Sequence, residues 1–168
     1  IFKNEIIIVT SLDNQNLIKK FHTKKRLKTH TIFEEVGRNT TAAVWFSARK
    51  AFEINPDSNV LIMPSDHLIS NISKFQKSIL ESEKFIKNNW IVFGIVPKKP
   101  STDFGYIKTE IVKGEKVFKS FIEKPSFNRA NDFIKDKNYF WNSGIFLASA
   151  KTILSSIKFY APDIYDKC

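Results

Sequence analysis

The chain of 168 residues carries 27 Lys and Arg against 17 Asp and Glu, a formal charge of +10, and 42% hydrophobic residues, which fits one globular domain over 1–168 and argues against disorder. No apolar stretch approaches the ~20 residues of a membrane span, no leader-like segment opens the chain, and the single Cys168 excludes an internal disulfide framework and fits a reducing, cytoplasmic compartment. Lysines outnumber arginines 23 to 4 and are scattered, which argues against nucleic acid, whose binding surfaces favour bidentate Arg and interleaved aromatics.

Residues 5–10 form a continuous apolar run bounded by polar residues, the pattern of a buried parallel strand. A polar helix is predicted over 13–25, with Leu17, Ile18 and Phe21 inward, then a short strand over 31–34. Apolar residues at helical spacing predict a helix over Asn39–Ile54, with Asn39 or Thr40 as its N-cap. A strand at 59–63 closed by Pro64, a helix at 73–88 and a strand at 90–96 follow. This alternation implies a parallel sheet wound by crossover helices. Past Pro100 the pattern turns strand-rich, with strands predicted at 106–112, 116–123 and 140–147 and helices at 127–136 and 151–159.

Five short motifs sit on this frame. Met63-Pro64-Ser65-Asp66-His67 lies just past a buried strand, at the carboxyl end where open α/β sheets bind ligands. Asp66 there is either a ligand for Mg²⁺, which takes one or two carboxylates plus substrate phosphates, or a turn cap; His67 reads as structural. Gly37-Arg38-Asn39-Thr40 precedes the second helix, where free N–H groups suit phosphate or polar nucleotide atoms and equally suit ordinary capping. In Phe104-Gly105-Tyr106-Ile107, Gly105 allows close approach of a ligand to backbone, or serves a turn into the strand.

Glu123-Lys124-Pro125 ends a strand, because Pro125 stops the ladder. It is either a solvated surface pair or a division of labour, with the carboxylate on sugar hydroxyls and the ammonium on phosphate. Trp141-Asn142-Ser143-Gly144 offers an amide that donates and accepts, suited to a hexose hydroxyl, beside a Trp that reads as a packing wall.

Together, in this order, the five motifs resemble those of the mannose-1-phosphate guanylyltransferases, sugar-nucleotide synthases of the nucleotidyltransferase superfamily. The resemblance implies an α/β, Rossmann-like nucleotide-diphospho-sugar transferase fold with a mostly parallel sheet and flanking helices. It implies GTP and mannose-1-phosphate as substrates, GDP-mannose as product and Mg²⁺ as cofactor. It places Asp66 at the metal, Arg38, Asn39, Thr40 and Ser65 at the nucleotide, and Gly105, Glu123, Lys124 and Asn142 at the sugar phosphate, with Asp66 and Lys124 catalytic. Two departures stand out: Asp103 where the family has a first Gly, and Thr41-Ala42 where it has Ala-Pro.

The family's glycine-rich triphosphate loop is expected before Ile1 and its second metal-binding Asp after Cys168. On that reading the chain is an internal piece, incomplete at the N-terminus and weak or inactive alone, acting as a homo-oligomer or with a partner carrying the missing loop. The alternatives are a non-catalytic sugar-nucleotide binding subunit, and an enzyme for another nucleotide or sugar, the latter made credible by Asp103.

Overall fold

The structure, a computed structural model, describes residues 5–25, 29–37 and 39–168. They fall into two compact units. One comprises Ile1–Val60, Glu83–Asn89 and Ala148–Cys168, the other Leu61–Ser82 and Trp90–Leu147.

In the first unit, β1 (Ile6–Ser11) leads through a 3-10 turn into α1 (Gln15–Lys25) and then β2 (Thr29–Glu34). β1 and β2 pair in parallel, from Ile6 opposite Thr29 to Ser11 opposite Glu34. The apolar run and the intervening helix dictate this, since two parallel strands need a crossover between them. α2 (Asn39–Ile54) packs on β1, on α5 (Ala150–Tyr160) and on α6 (Pro162–Lys167). Buried Ala48, Ala51, Ile153 and Ile157 supply the core of this unit, and the small alanines let helices approach closely. Ser149 caps α5, its Oγ accepting from the Thr152 N–H at 3.0 Å.

The second unit is built on a five-stranded sheet of β3 (Asn59–Ile62), β4 (Ile91–Ile95), β5 (Tyr106–Val112), β6 (Glu115–Ile122) and β7 (Tyr139–Ser149). The order is β3-β7-β5-β6, with β4 also on β7. α3 (Ile72–Ser82) buries Ile79 and sets Phe75 against Phe93, ring centroids 6.3 Å apart. α4 (Phe127–Phe133) buries Ala130 and Phe133 against Tyr106, Ile122, Tyr139 and Trp141.

The predicted elements are present, with shifted ends. Residues 39–54 and 106–112 coincide with their predicted spans. The helix expected over 73–88 stops at Ser82, whose Oγ donates to the Ile79 carbonyl at 2.7 Å, and a 3-10 turn over Glu83–Phe85 follows. α6, which starts on Pro162, was not predicted.

The sheets are mixed, where the sequence pointed to a mostly parallel one. β1 and β2 are parallel, whereas β4–β7, β5–β6 and β5–β7 are antiparallel. For β5–β6 the reason is local: Lys113 and Gly114, both at positive φ (53° and 83°), make a two-residue hairpin turn that joins only antiparallel strands.

Register assigns the two faces of this sheet. Tyr106 lies opposite Ile122 on one side and Trp141 on the other, so these three share the face that α4 covers. One residue along, Ile107 lies opposite Phe121 and Phe140. Strand alternation then puts Gly105, Glu123 and Asn142 on that second face.

Candidate active site

Three of the predicted residues meet at one end of β6, β5 and β7. The Asn142 N–H donates to the Gly105 carbonyl at 2.8 Å, tying the start of β5 to β7. A Cβ on Gly105 would collide with the Phe121 ring and lie 2.8 Å from Oε2 of Glu123. Only glycine fits beneath the Phe121 ring, and the Glu123 carboxylate stands beside it. Asn142 uses its Oδ1 to accept from the Gly144 N–H at 3.1 Å, which orients its Nδ2 as the donor available to a ligand.

The neighbouring segments hold this arrangement in place. The Tyr106 ring is fully buried, and its phenolic oxygen accepts from the Ser101 N–H at 3.0 Å. Ser101 in turn accepts the Asp103 N–H on its Oγ at 3.2 Å, so Asp103 belongs to a side-chain-closed turn with its carboxylate in solvent. Phe104 sets its ring against Trp141, centroids 5.2 Å apart. Ser143 is structural: its Oγ donates to the Phe93 carbonyl at 2.5 Å and accepts from the Ile145 N–H.

Lys124 follows Glu123 directly past β6 and is exposed. Its φ of +39° is left-handed, and it precedes Pro125, which disfavours helical conformations at the residue before it. Such a backbone costs on the order of 1–3 kcal/mol and persists only where the surroundings impose it. Here the buried Pro125 and the α4 that begins two residues later impose it.

The Asp66 loop adjoins the same end of β7. Gly144 has φ +67°, and Pro64 Cγ lies 3.3 Å from where its Cβ would be, so Pro64 packs on the Trp141–Gly144 stretch of β7. Ser65 and Asp66 follow in an exposed turn. The Asp66 side chain is 86% exposed, with His67 Nε2 at 4.0 Å from its Oδ1.

The structure thus brings together segments of four motifs, all in the second unit. The fifth lies in the first unit. Its Arg38 is outside the described residues, α2 begins at Asn39, and Thr40 is exposed in the first turn of that helix rather than ahead of it. Gly37 has open space around it. Two contacts of the site had no signal in the sequence: the Ser101–Tyr106 bond and the Pro64–Gly144 contact, both long-range or between side chain and backbone.

The nucleotidyl transferase family matches residues 2–168. The chain belongs to that family. It is 36% identical over 148 residues, 85% of its length, to a mannose-1-phosphate guanylyltransferase of Salmonella typhimurium strain LT2. It is 31% identical over 172 residues, 98% of its length, to a mannose-1-phosphate guanylyltransferase of Escherichia coli. It spans about a third of these curated relatives, 31% and 36% of their lengths. Among solved structures, that of mannose-1-phosphate geranyltransferase from Thermus thermophilus superposes with a TM-score of 0.85 at 22% identity, covering 95% of this chain and 47% of the other. That likeness shows the shared α/β nucleotide-sugar transferase fold. Among the described residues no helix is long and apolar enough to cross a membrane.

Proposed function

We propose that the protein takes part in transfer of GMP from GTP to mannose-1-phosphate, giving GDP-mannose and pyrophosphate, in the cytoplasm. The observation that carries the reading is the convergence of Gly105, Glu123 and Asn142 on one sheet face, beside Lys124. Family membership supports the reaction class, and the named relatives support the substrates.

In this reading the Glu123 carboxylate accepts hydroxyls of the sugar and the Asn142 Nδ2 donates to another. Gly105, expected from the sequence to let the sugar approach backbone, is instead buried, and its missing side chain lets the Phe121 ring and the Glu123 carboxylate close over it. The Lys124 ammonium offsets phosphate charge as a point charge. A phosphate oxygen of the sugar phosphate attacks the α-phosphorus of GTP in line; the new P–O bond forms as the bond to the β-phosphate oxygen breaks, and pyrophosphate departs with the electron pair. Little covalent help is needed, because positioning and charge neutralisation dominate such transfers. Arg38, Asn39, Thr40 and Ser65 are assigned to the nucleotide.

Asp66 would hold Mg²⁺, whose charge offsets that of the phosphate oxygens. Among the described residues no group of three His, Cys, Asp or Glu side chains could hold a metal alone. A single exposed carboxylate fits a hard cation that takes its remaining ligands from water and phosphate, as Mg²⁺ does.

The test is Mg²⁺-dependent pyrophosphate release from GTP and mannose-1-phosphate, with Asp66→Asn as control. Release that the substitution abolishes is the expected result for the complete enzyme. Saturable GDP-mannose binding with no release in any setting would replace this reading with a non-catalytic binding subunit.

A further inference from the structure

Phe121 is 44% exposed, although its neighbour Ile122 packs into the core on the other face of the sheet. A large aromatic held half in solvent at the end of an edge strand needs a reason. Phe121 lies opposite Ile107 on β5, and its ring reaches diagonally over Gly105, where Cζ and Cε2 would clash with a Cβ. Oε2 of Glu123, two residues on and on the same face, lies 2.8 Å from that same point. The ring and the carboxylate therefore close together over the buried Gly105, which the Asn142 N–H ties to β7, and the exposed part of the ring lies beside the exposed Glu123 on one face of the sheet.

Hexoses match this composition. Their hydroxyl rim calls for a carboxylate or amide, and their C–H face calls for an apolar surface without hydrogen-bonding demands. A bare phosphate needs neither. We propose that Phe121 is the surface on which the apolar face of the sugar packs, and that it sets the preference for a hexose phosphate over simpler phosphates. This rests on the reading above that Glu123 and Asn142 take the sugar. The ring supplies what the two polar groups lack, since hydrogen bonds alone are also available to the sugar in water.

The competing role is structural: a cross-strand aromatic covering a sheet glycine stabilises the strand pair without touching ligand. Calorimetric titration of the protein with mannose-1-phosphate and with inorganic phosphate separates the two, using wild type, Phe121→Leu, Phe121→Tyr and Glu123→Gln. Phe121→Leu is expected to weaken mannose-1-phosphate by about 3- to 10-fold, the range of an aromatic contact beyond its area. Phe121→Tyr should stay near wild type, and inorganic phosphate affinity should not change. Unchanged sugar affinity in Phe121→Leu, or equal weakening of both ligands, overturns the inference.

Failure of the wider reading looks different. A wild-type protein that ignores mannose-1-phosphate sinks both, whereas loss on Glu123→Gln with no effect of Phe121→Leu sinks only the role of Phe121. A measurement on wild type guards against misfolding of the variants. In a saturated complex, nuclear Overhauser contacts from Phe121 ring protons to the sugar C–H protons are expected, and their absence overturns the proposal.

Discussion

The two ends of the β5–β6 hairpin carry the same backbone anomaly in different surroundings. At the turn, Lys113 has φ +53° beside Gly114, and a Cβ on Gly114 would meet nothing within 4 Å. At the open end, Lys124 has φ +39° beside Pro125, and a Cβ on Gly105 would strike the Phe121 ring. A tight hairpin demands left-handed residues, so Lys113 is explained by the turn alone. No turn type demands Lys124, whose strain belongs to the segment that presents Glu123. Left-handed lysines mark a fold element in one place and a candidate site in the other.

The largest expected effect separates those lysines. Lys124→Gly should lower the rate of pyrophosphate release by about 10²- to 10³-fold, the scale of removing a charge-stabilising group. Urea unfolding of the same variant should show stability unchanged or raised by up to ~1 kcal/mol, because glycine carries no left-handed penalty. Lys113→Gly should show the same small stability change and full activity. Equal activity loss in both variants would erase the distinction.

The glycines give the next contrast. Gly105→Ala is expected to cost about 1–3 kcal/mol by overpacking and to abolish sugar-phosphate binding. Gly114→Ala should cost about 1 kcal/mol from its φ of +83° alone, leaving binding intact. Titration calorimetry and thermal unfolding on both variants check this.

Tyr106→Phe removes the acceptor of the buried Ser101 N–H and should destabilise by about 1–3 kcal/mol. Because the turn at 101–105 leads into Gly105, weaker sugar-phosphate binding should accompany the loss, measured in the same titrations.

The smallest effect lies in the other unit. Burial, and then the charge of Glu34, raise the Cys168 thiol above its ordinary value. The folded chain therefore holds the thiol proton at pH values where the unfolded chain releases it, and stability falls as pH rises from the unfolded pKa through the folded one. Alkylation at pH 8.5 should be slower in the folded than in the denatured protein, and Glu34→Gln should speed it. Equal rates in all three would refute the shift.

Much of the fold was legible because its signals are local. The apolar runs of β1 and β3 and the helical spacing of Asn39–Ile54 are each read within one short window. The motif residues were legible as types: a carboxylate after a strand, a glycine before one, a charged pair ahead of a proline. Strand order was not, because β7 pairs with strands 30 to 90 residues earlier and nothing in a window states its partner. The pairing is what brings Gly105 under Phe121 and Glu123, seats Pro64 on Gly144 and strains Lys124. Sequence alone determined which chemical groups the protein carries and which elements bear them; tertiary structure decided which groups meet, because register and sheet face are set by long-range packing rather than by any residue's own preference.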